Sequence, residues 1–300
     1  MLSDSNPPAP AKLYFILAIG LVAIGFSPIL VRLAPNTSPF LLASYRTIFS
    51  VILLFPFWLY YGERGNKQTL SEYRTHLLTA FAGVALGLHF ICWIASLSYT
   101  SVASASVLVT THPMILIIAE RFLFQEKFGY MVWFGVLLSL AGSIFLGWSD
   151  QHASEHFVNP ILGNSLAFSA AVIFAVYFLA GRTLRQKLEW IDYTFRIYTT
   201  AAITCFLFVA YYGFELQGFM EPTGLLIGFG LAAGPQFLGH GAMNYAVKYV
   251  SPTLLSTLIL AEPLFASTFA YFLFDEIPPF TSFIAMIIIL TGIAITWRKK

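Results

Sequence analysis

Two side chains that can carry a charge or a proton occupy matching places in apolar sequence, and each precedes a proline. His112 is followed by Pro113, and Glu262, 150 positions later, is followed by Pro263. A proline removes a backbone donor and opens the hydrogen-bond ladder of the preceding turn, so both prolines are candidate helix kinks. Backbone carbonyl groups that lose their hydrogen bonds in this way must face protein or a wet cavity, and so must a carboxyl group within an apolar helix. His112 and Glu262 are therefore candidate sites for a proton, a cation or a substrate amine. The alternatives for Glu262 are a hydrogen bond to the opened backbone and a position near lipid headgroups.

A second group of polar side chains follows one face of a later apolar segment. Gln236, His240 and Asn244 are spaced by four residues, which places them along one side of a helix. The matching segment of the first half has His89 and Trp93 at the same spacing. Such a stripe fits the wall of a binding site for a zwitterionic or aromatic solute. The alternative is that these side chains hydrogen-bond or pack against neighbouring helices.

Three further side chains have more than one interpretation. Tyr177 could complete the wall of that site, or it could be packed with its hydroxyl satisfied. Arg46 and Arg196 occupy equivalent places, one to two turns inside their predicted helices. Each arginine has three candidate roles: it extends to lipid headgroups, it forms a structural ion pair, or it binds a substrate carboxylate. The sequence does not distinguish these roles.

The composition requires a lipid environment for most of the chain. Hydrophobic residues make up 58% and charged residues 10% of the 300 residues, whereas a soluble domain has about 25% charged residues. Net charge is only +2, so nothing indicates a nucleic-acid partner. No nucleotide-binding or hydrolase motif is present, and we expect neither a cofactor nor a metal.

Ten apolar segments are long enough to cross a hydrocarbon layer of roughly 30 Å. They define five spans in each half of the chain, connected by short loops. Spans 1 to 10 are predicted in order at 13–31, 40–61, 77–97, 102–123, 129–148, 160–180, 191–213, 223–246, 252–274 and 278–297. We expect an all-α membrane protein, either a monomer or a homodimer, with the lipid bilayer and a small-molecule substrate as its partners.

The distribution of basic residues predicts the orientation of these spans. Thirteen of the 16 Lys and Arg residues fall in the segments that are inside if the N-terminus is inside, and one, Arg32, falls outside. Positive charge is retained on the cytoplasmic side, so both termini are predicted to be cytoplasmic. The predicted parts are a tail at 1–12, a repeat at 13–148, an outer linker at 149–159, a second repeat at 160–297 and a basic end at 298–300.

The second half of the chain repeats the first at an offset of 150 residues. Eleven residues between 99 and 142 recur without a gap. They are Tyr99, Ser101, Ser106, Leu108, Pro113, Phe122, Leu123, Phe124, Glu126, Leu140 and Gly142, which recur as Tyr249, Ser251, Ser256, Leu258, Pro263, Phe272, Leu273, Phe274, Glu276, Leu290 and Gly292. Because five is an odd number of spans, the second repeat enters the membrane from the opposite side to the first. The sequence therefore predicts two inverted five-helix repeats with a substrate site between them near the bilayer midplane.

Pairs of glycines four residues apart occur in spans 3 and 8. They are Gly83 with Gly87 and Gly230 with Gly234. Small residues at this spacing let helix backbones approach closely. We interpret both pairs as packing surfaces within the chain, with a rocking contact or a dimer contact as the alternative.

The chain resembles the EamA-type family of the drug/metabolite transporter superfamily from about residue 13 to residue 297. The resemblance is carried by ten short spans in two repeats and by a motif of a Tyr, a small and polar helix, a central Pro and an acidic residue at the helix exit. The motif consists of Tyr99, Pro113 and Glu126 in the first half and of Tyr249, Pro263 and Glu276 in the second, and Arg46 and Arg196 also match the family pattern.

This resemblance implies a secondary transporter of a small metabolite in the bacterial inner membrane. It implies export of amino acids or amino-acid-derived compounds by alternating access, with proton coupling as a possible energy source. The alternative within the same fold is uptake, for example of a nucleoside or an S-adenosyl compound. More remote alternatives are an intramembrane enzyme, which would need a second acid within the core spans, and a membrane scaffold.

Overall fold

The computed structural model describes residues 8–62, 73–100, 102–149, 159–212, 221–274 and 280–298. These residues form helices and connecting turns, with no strand among them. Eight helices are long and apolar enough to cross a membrane, and Tyr130–Leu146 is a shorter apolar helix. The protein is thus an all-α, multi-pass membrane protein. The predicted outer linker lies almost wholly outside the described residues, as do most of the N-terminal tail and the last two residues.

All ten predicted spans are present as helices. The first five are Pro10–Gly25 with Ser27–Arg32 (span 1), Pro39–Tyr61 (span 2), Tyr73–Ser96 (span 3), Val102–Val109 with His112–Leu123 (span 4) and Tyr130–Ser149 (span 5). The others are Pro160–Leu184 (span 6), Trp190–Tyr212 (span 7), Pro222–Leu231 with Ala232–His240 and Gly241–Ala246 (span 8), Pro252–Ile259 with Glu262–Phe274 (span 9) and Phe280–Trp297 (span 10).

The largest differences from the predicted bounds are at one end each of spans 3 and 6. Span 3 begins at Tyr73 rather than at residue 77, and span 6 ends at Leu184 rather than at residue 180. The added turns contain Arg74, His76 and Arg182. The predicted spans end where these polar residues begin, because the prediction follows hydropathy. The helices continue through them, because backbone hydrogen bonds do not depend on hydropathy.

Spans 4 and 9 are interrupted at equivalent places, immediately before the two candidate kinks. The Thr111 amide donates to the Leu108 carbonyl at 3.2 Å, and the Ala261 amide donates to the Leu258 carbonyl at 3.0 Å. Both bonds connect residues three apart, so the chain tightens here before a new helix begins at His112 or Glu262. The interruption places both side chains near the middle of their spans.

The middle segment of span 8, Ala232–His240, is a π-helix. Pro235 lies inside this segment and has no amide hydrogen, so regular α-helical pairing cannot be completed there. Turns of this type widen the helix and are frequent at functional sites. The π-helix sets the directions of Gln236 and His240, which the sequence placed on a regular α-helical face.

The helices pack in pairs that the repeat relates to one another. Span 3 packs on span 6 and span 8 on span 1, while spans 2 and 7, 4 and 9, and 5 and 10 pack together. Between spans 5 and 10, a Cβ added at Gly142 would lie 2.9 Å from the Ile289 backbone nitrogen, and one added at Gly292 would lie 2.6 Å from that of Ser139. Glycine is required at both positions for this close approach.

The interpretation of the glycine pairs is confirmed for span 3 and wrong for span 8. A Cβ added at Gly83 would lie 2.5 Å from Cβ of Thr200, and one added at Gly87 would lie 3.0 Å from the Ala201 carbonyl oxygen, so this pair packs on span 7. A Cβ at Gly230 would meet only the end of the Leu30 side chain at 3.5 Å. A Cβ at Gly234 would lie in open space.

Candidate functional site

A cavity lies between the two repeats. Its wall contains residues of spans 1 to 4 from the first repeat and of spans 6, 8 and 9 from the second. Five of the eight substrate-site candidates line it, namely His89, Trp93, His112, His240 and Glu262. These five come from spans 3 and 4 of the first repeat and spans 8 and 9 of the second, so the fold brings together residues of the two halves.

Three histidines and a phenylalanine form one side of the cavity. The His112 ring stacks on Phe174 with 4.6 Å between ring centroids, and His240 meets the same phenylalanine edge-on at 6.0 Å. His89 lies 6.3 Å from His240 by ring centroids, and its Nδ1 donates to the Ala170 carbonyl at 2.9 Å. A carbonyl oxygen only accepts, so a neutral His89 has its proton on Nδ1 and its free lone pair on Nε2. No group of three or more ligating side chains in the described ranges could hold a metal ion.

Aromatic side chains supply much of the remaining wall. Phe90 and Trp93 line it from span 3, and both are almost completely buried in the protein. Phe90 meets His240 edge-on at 5.2 Å between ring centroids. A wall of aromatic rings with a few convergent polar groups is typical of a small-molecule site.

Glu262 places an acid on this wall. Its side chain is only 7% exposed, and it forms no hydrogen bond or ion pair with any residue that the structure describes. Glu262 is the first residue of the second helix of span 9, where backbone amides point toward a negative charge. A buried polar group without a hydrogen-bond partner costs free energy, so Glu262 remains a candidate site for a ligand or a proton.

Arg46 also lines the cavity, and it does not extend to lipid headgroups. The side chain is 1% exposed, its Nε donates to Gln236 Oε1 at 2.8 Å, and its Nη1 donates to Ser27 Oγ at 3.2 Å. The guanidinium carbon lies 3.9 Å above the centre of the Phe90 ring. The headgroup interpretation is therefore wrong for Arg46, because the side chain turns inward onto an aromatic face.

Arg196, the repeat counterpart of Arg46, lies away from the cavity. It is partly exposed, and its Nη1 is 3.4 Å from Nδ1 of His76 in span 3. The repeat therefore does not give the two arginines the same environment.

Three candidates from the sequence lie behind the wall rather than on it. Gln236, Asn244 and Tyr177 are fully buried and do not line the cavity. The Tyr177 hydroxyl donates to the Asn244 side chain, and the Tyr198 hydroxyl donates to the Gln236 carbonyl at 2.8 Å. These contacts connect span 8 to spans 6 and 7, and they hold Gln236 and Asn244 in place behind the wall.

The structure also contains a buried acid in span 4 that the sequence reasoning missed. Glu120 is 0% exposed, pairs with Arg182 of span 6 and accepts the Thr253 backbone amide of span 9 at 2.8 Å. Arg182 also pairs with Glu126. Glu120 is thus a second acid within the core spans, which the sequence was not expected to contain, but it does not line the cavity. Its sequence signal was an acid followed directly by Arg121 inside an apolar span.

Several known proteins are similar to this chain over most of its length. An uncharacterized transporter of Archaeoglobus fulgidus is 26% identical over 294 residues, which cover 97% of this chain and 99% of that protein. An S-adenosylmethionine uptake transporter of Rickettsia conorii is 26% identical over 262 residues, or 87% of this chain and 84% of that protein. A crystal structure with 18% sequence identity has the same fold, with a TM-score of 0.78 over 96% of this chain and 97% of the other.

The strongest similarity is to a family as a whole. The sequence profile of the EamA-like transporter family matches residues 11–148 and, separately, residues 161–298. The two matches cover almost the whole chain and fall on its two halves. The protein therefore belongs to the EamA-like transporter family.

Proposed function

We propose that this protein is a secondary transporter that moves a small organic metabolite by alternating access between two inverted repeats. The observation that carries the proposal is the cavity between the repeats, which has an unpartnered buried carboxyl at Glu262. A membrane scaffold has no use for such a group. A carrier needs polar groups near the middle of the membrane to bind its solute.

The packing of equivalent residues supports the two-fold relation between the repeats. Gly142 lies against Ile289, and their counterparts Gly292 and Ser139 lie against each other. The Ser139 hydroxyl donates to the Ile289 carbonyl at 3.2 Å, which is a contact between equivalent positions. Such pairs are expected beside a two-fold axis between spans 5 and 10. With five spans in each repeat, that axis would lie in the membrane plane.

The chemistry of the wall favours an amino acid or an amino-acid-derived compound as the solute. The carboxylate of Glu262 suits a substrate amine, and Phe90, Trp93 and Phe174 suit an apolar or aromatic side chain. Glu262 and His112 are the candidates for proton coupling. We propose export from a bacterial cytoplasm, with both termini in the cytoplasm. Because the cavity lies within one chain, a monomer and a homodimer serve this function equally.

Uptake of an S-adenosyl compound is the second candidate. Similar proteins from Rickettsia conorii and Rickettsia bellii are named S-adenosylmethionine uptake transporters. Such a solute also carries an amine and an aromatic base, so it could use the same wall. An inverted repeat can face either side, and the direction of transport therefore needs a direct measurement.

A ligand screen tests the proposed site. Purified protein in detergent is heated with amino acids, nucleosides, S-adenosyl compounds and aromatic metabolites. A ligand at 100 times its Kd should stabilise the fold by about 2.7 kcal/mol. We expect a stabilising ligand whose effect is lost in His240→Ala and in Glu262→Gln. A stabilising ligand that is unaffected by both substitutions would contradict the cavity as the binding site.

A further inference from the structure

We propose that Arg46 forms an anion subsite that binds the carboxylate of the solute, and that Gln236 is the positioning residue that keeps Arg46 available for it. This inference rests on the proposed function, because it assumes that the solute enters the cavity. It adds a specificity-determining group to that cavity.

The guanidinium of Arg46 has only neutral hydrogen-bond partners. Its two hydrogen bonds go to the Gln236 amide and the Ser27 hydroxyl, and its guanidinium carbon lies over the Phe90 ring. Arg46 pairs with no acid that the structure describes, although Glu262 lines the same cavity. A buried arginine is usually paired with an acid, because an uncompensated charge in an apolar environment is costly. Glu262 acts on Arg46 through its charge but forms no ion pair with it, so the anion in direct contact is what a substrate carboxylate would supply.

The remaining donors of Arg46 have the right geometry for a carboxylate. A guanidinium presents five N–H groups in a planar fork, and the two hydrogen bonds of Arg46 use only two of them. The pair of terminal nitrogens matches the two oxygens of a carboxylate. Phe90 covers one face of the plane at 3.9 Å, so a ligand must approach along the edge. This arrangement favours a planar anion at Arg46.

Gln236 determines how that fork is presented. Its side-chain oxygen accepts the Nε proton at 2.8 Å, so the N–H groups of the terminal nitrogens that Ser27 does not use are left for the ligand. Gln236 is fully buried, and its main chain is held by the Tyr198 hydroxyl at 2.8 Å within the π-helix. It does not touch the cavity and acts only through Arg46. Because the amide is neutral, it orients the guanidinium without neutralising it.

A cavity wall with one cationic and one anionic side chain fits a solute that has both a carboxylate and an amine. Arg46 would bind the carboxylate and Glu262 the amine of the same molecule. An amine alone would use only Glu262, and a carboxylate alone only Arg46. The selectivity among such analogues therefore reports each subsite separately.

The test uses matched ligands and isothermal titration calorimetry on the full chain in detergent. The first set is L-phenylalanine, 2-phenylethylamine and 3-phenylpropionate. The second set is S-adenosylmethionine and its decarboxylated form. The variants are Arg46→Gln, which removes the charge, and Gln236→Glu, which supplies an internal carboxylate to Arg46 and keeps the guanidinium. Asn244→Asp is the matched control, since it makes the same amide-to-acid change at a fully buried position of span 8 that does not touch Arg46.

We expect both Arg46→Gln and Gln236→Glu to weaken binding of the ligands with a carboxylate by about tenfold or more, since a hydrogen bond to a charged group is lost. Binding of the amines that lack a carboxylate should change by less than about twofold. Asn244→Asp should leave the ratio between the two classes unchanged. An equal loss for both classes in Gln236→Glu, or no loss, overturns the anion subsite.

The failure of the proposed function has a different signature. If the wild-type protein binds the amines and does not prefer a carboxylate, the Arg46 proposal is wrong and a carrier for cations remains. If it binds no member of either set, the proposed solute classes are wrong, and the anion subsite is rejected with them.

Discussion

At the scale of single residues, Glu262 is the group whose chemistry should control transport. It is a buried carboxyl on the cavity wall without a partner among the described residues. Glu262→Gln keeps the shape and the capacity for hydrogen bonds but removes the titrating proton. We expect the rate of solute exchange to vary with pH in the wild-type protein and to become independent of pH in this variant.

The matched control for that experiment is His89→Gln. It also replaces a titrating group of the wall with an amide, but the His89 ring is already held by the Ala170 carbonyl. The pH profile of His89→Gln should keep the wild-type shape. A pH profile that is unchanged in Glu262→Gln would eliminate Glu262 as the proton carrier.

Glu221 gives a second pH prediction, which concerns stability. This residue lies at the start of span 8, where the Gly224 amide donates to its Oε2 at 2.6 Å and the Thr37 hydroxyl donates to the same oxygen at 3.0 Å. Hydrogen bonds from Thr223 and then from Gly224 lower the pKa of Glu221 below its usual value. A lowered pKa means that its contribution to stability is present above the pKa of the unfolded chain and is lost as the pH falls through the folded value.

The substitution Glu221→Gln should therefore flatten the acid limb of the stability profile. The thermal midpoint in detergent, measured from roughly pH 6 to pH 3, should fall less steeply in the variant than in the wild-type protein. The effect should be small, because the carboxylate is open to solvent. Parallel profiles for the two proteins would show that the capping contacts do not depend on this charge.

Much of the candidate site was predictable from residue type and spacing, and some of it was not. His89, His112, His240 and Glu262 stand out because polar groups in apolar helices must face protein or water. Arg46 could not be assigned, since a long side chain near a helix end can turn outward or inward. Its burial, its hydrogen bonds to Gln236 and Ser27 and its packing on Phe90 show that it turns inward.

At the scale of helices, the close contact of spans 3 and 7 depends on glycine. A Cβ at Gly87 would lie 2.9 Å from Cβ of Thr204 and 3.0 Å from the Ala201 carbonyl oxygen, and neither atom is the free end of a flexible side chain. We expect Gly87→Ala to lower the thermal midpoint in detergent, with a cost of about 1–3 kcal/mol that is typical of overpacking.

Gly230→Ala is the matched control for Gly87→Ala. It makes the same change inside a helix, but the added methyl group would meet only Leu30 side-chain carbons at 3.5 Å or more. The thermal midpoint of this variant should remain close to that of the wild-type protein. Equal losses in the two variants would mean that helix close packing is not the reason for the glycine at position 87.

The helices themselves follow from the sequence, whereas their irregularities follow only in part. Length and hydropathy place ten apolar segments, each of which forms helix, and eight helices among the described residues are long and apolar enough to cross a membrane. A segment inside a membrane must satisfy its own backbone hydrogen bonds, which favours helix. Pro113 and Pro263 mark where spans 4 and 9 are interrupted. The π-helix around Pro235 was not predicted, since a proline can be accommodated by a kink, a break or a wider turn, and neighbouring helices decide among these.

At the scale of the whole molecule, the cluster of Glu120, Arg182 and the Thr253 amide joins the two repeats. Glu120 belongs to the first repeat, and its partners belong to the second. Arg182→Gln leaves the buried carboxylate of Glu120 without a cation. The thermal midpoint should therefore fall. The loss of unfolding free energy should be smaller than the roughly 3–5 kcal/mol that breaking a fully buried pair costs, because the Arg182 side chain is 23% exposed.

A double variant separates this ion pair from other effects. Adding Glu120→Gln to Arg182→Gln removes the uncompensated charge, so the double variant should be more stable than the sum of the two single losses predicts. Strict additivity in thermal unfolding would contradict direct coupling between these two side chains across the repeats.

The central claim is that the cavity between the repeats carries a solute across the membrane. The most direct measurement is solute flux in proteoliposomes that contain the wild-type protein or Glu262→Gln, using a ligand that stabilises the purified protein. The account predicts saturable flux above that of empty liposomes for the wild-type protein and loss of its pH dependence in the variant. A ligand that binds in the cavity but crosses no faster than through empty liposomes would contradict the claim.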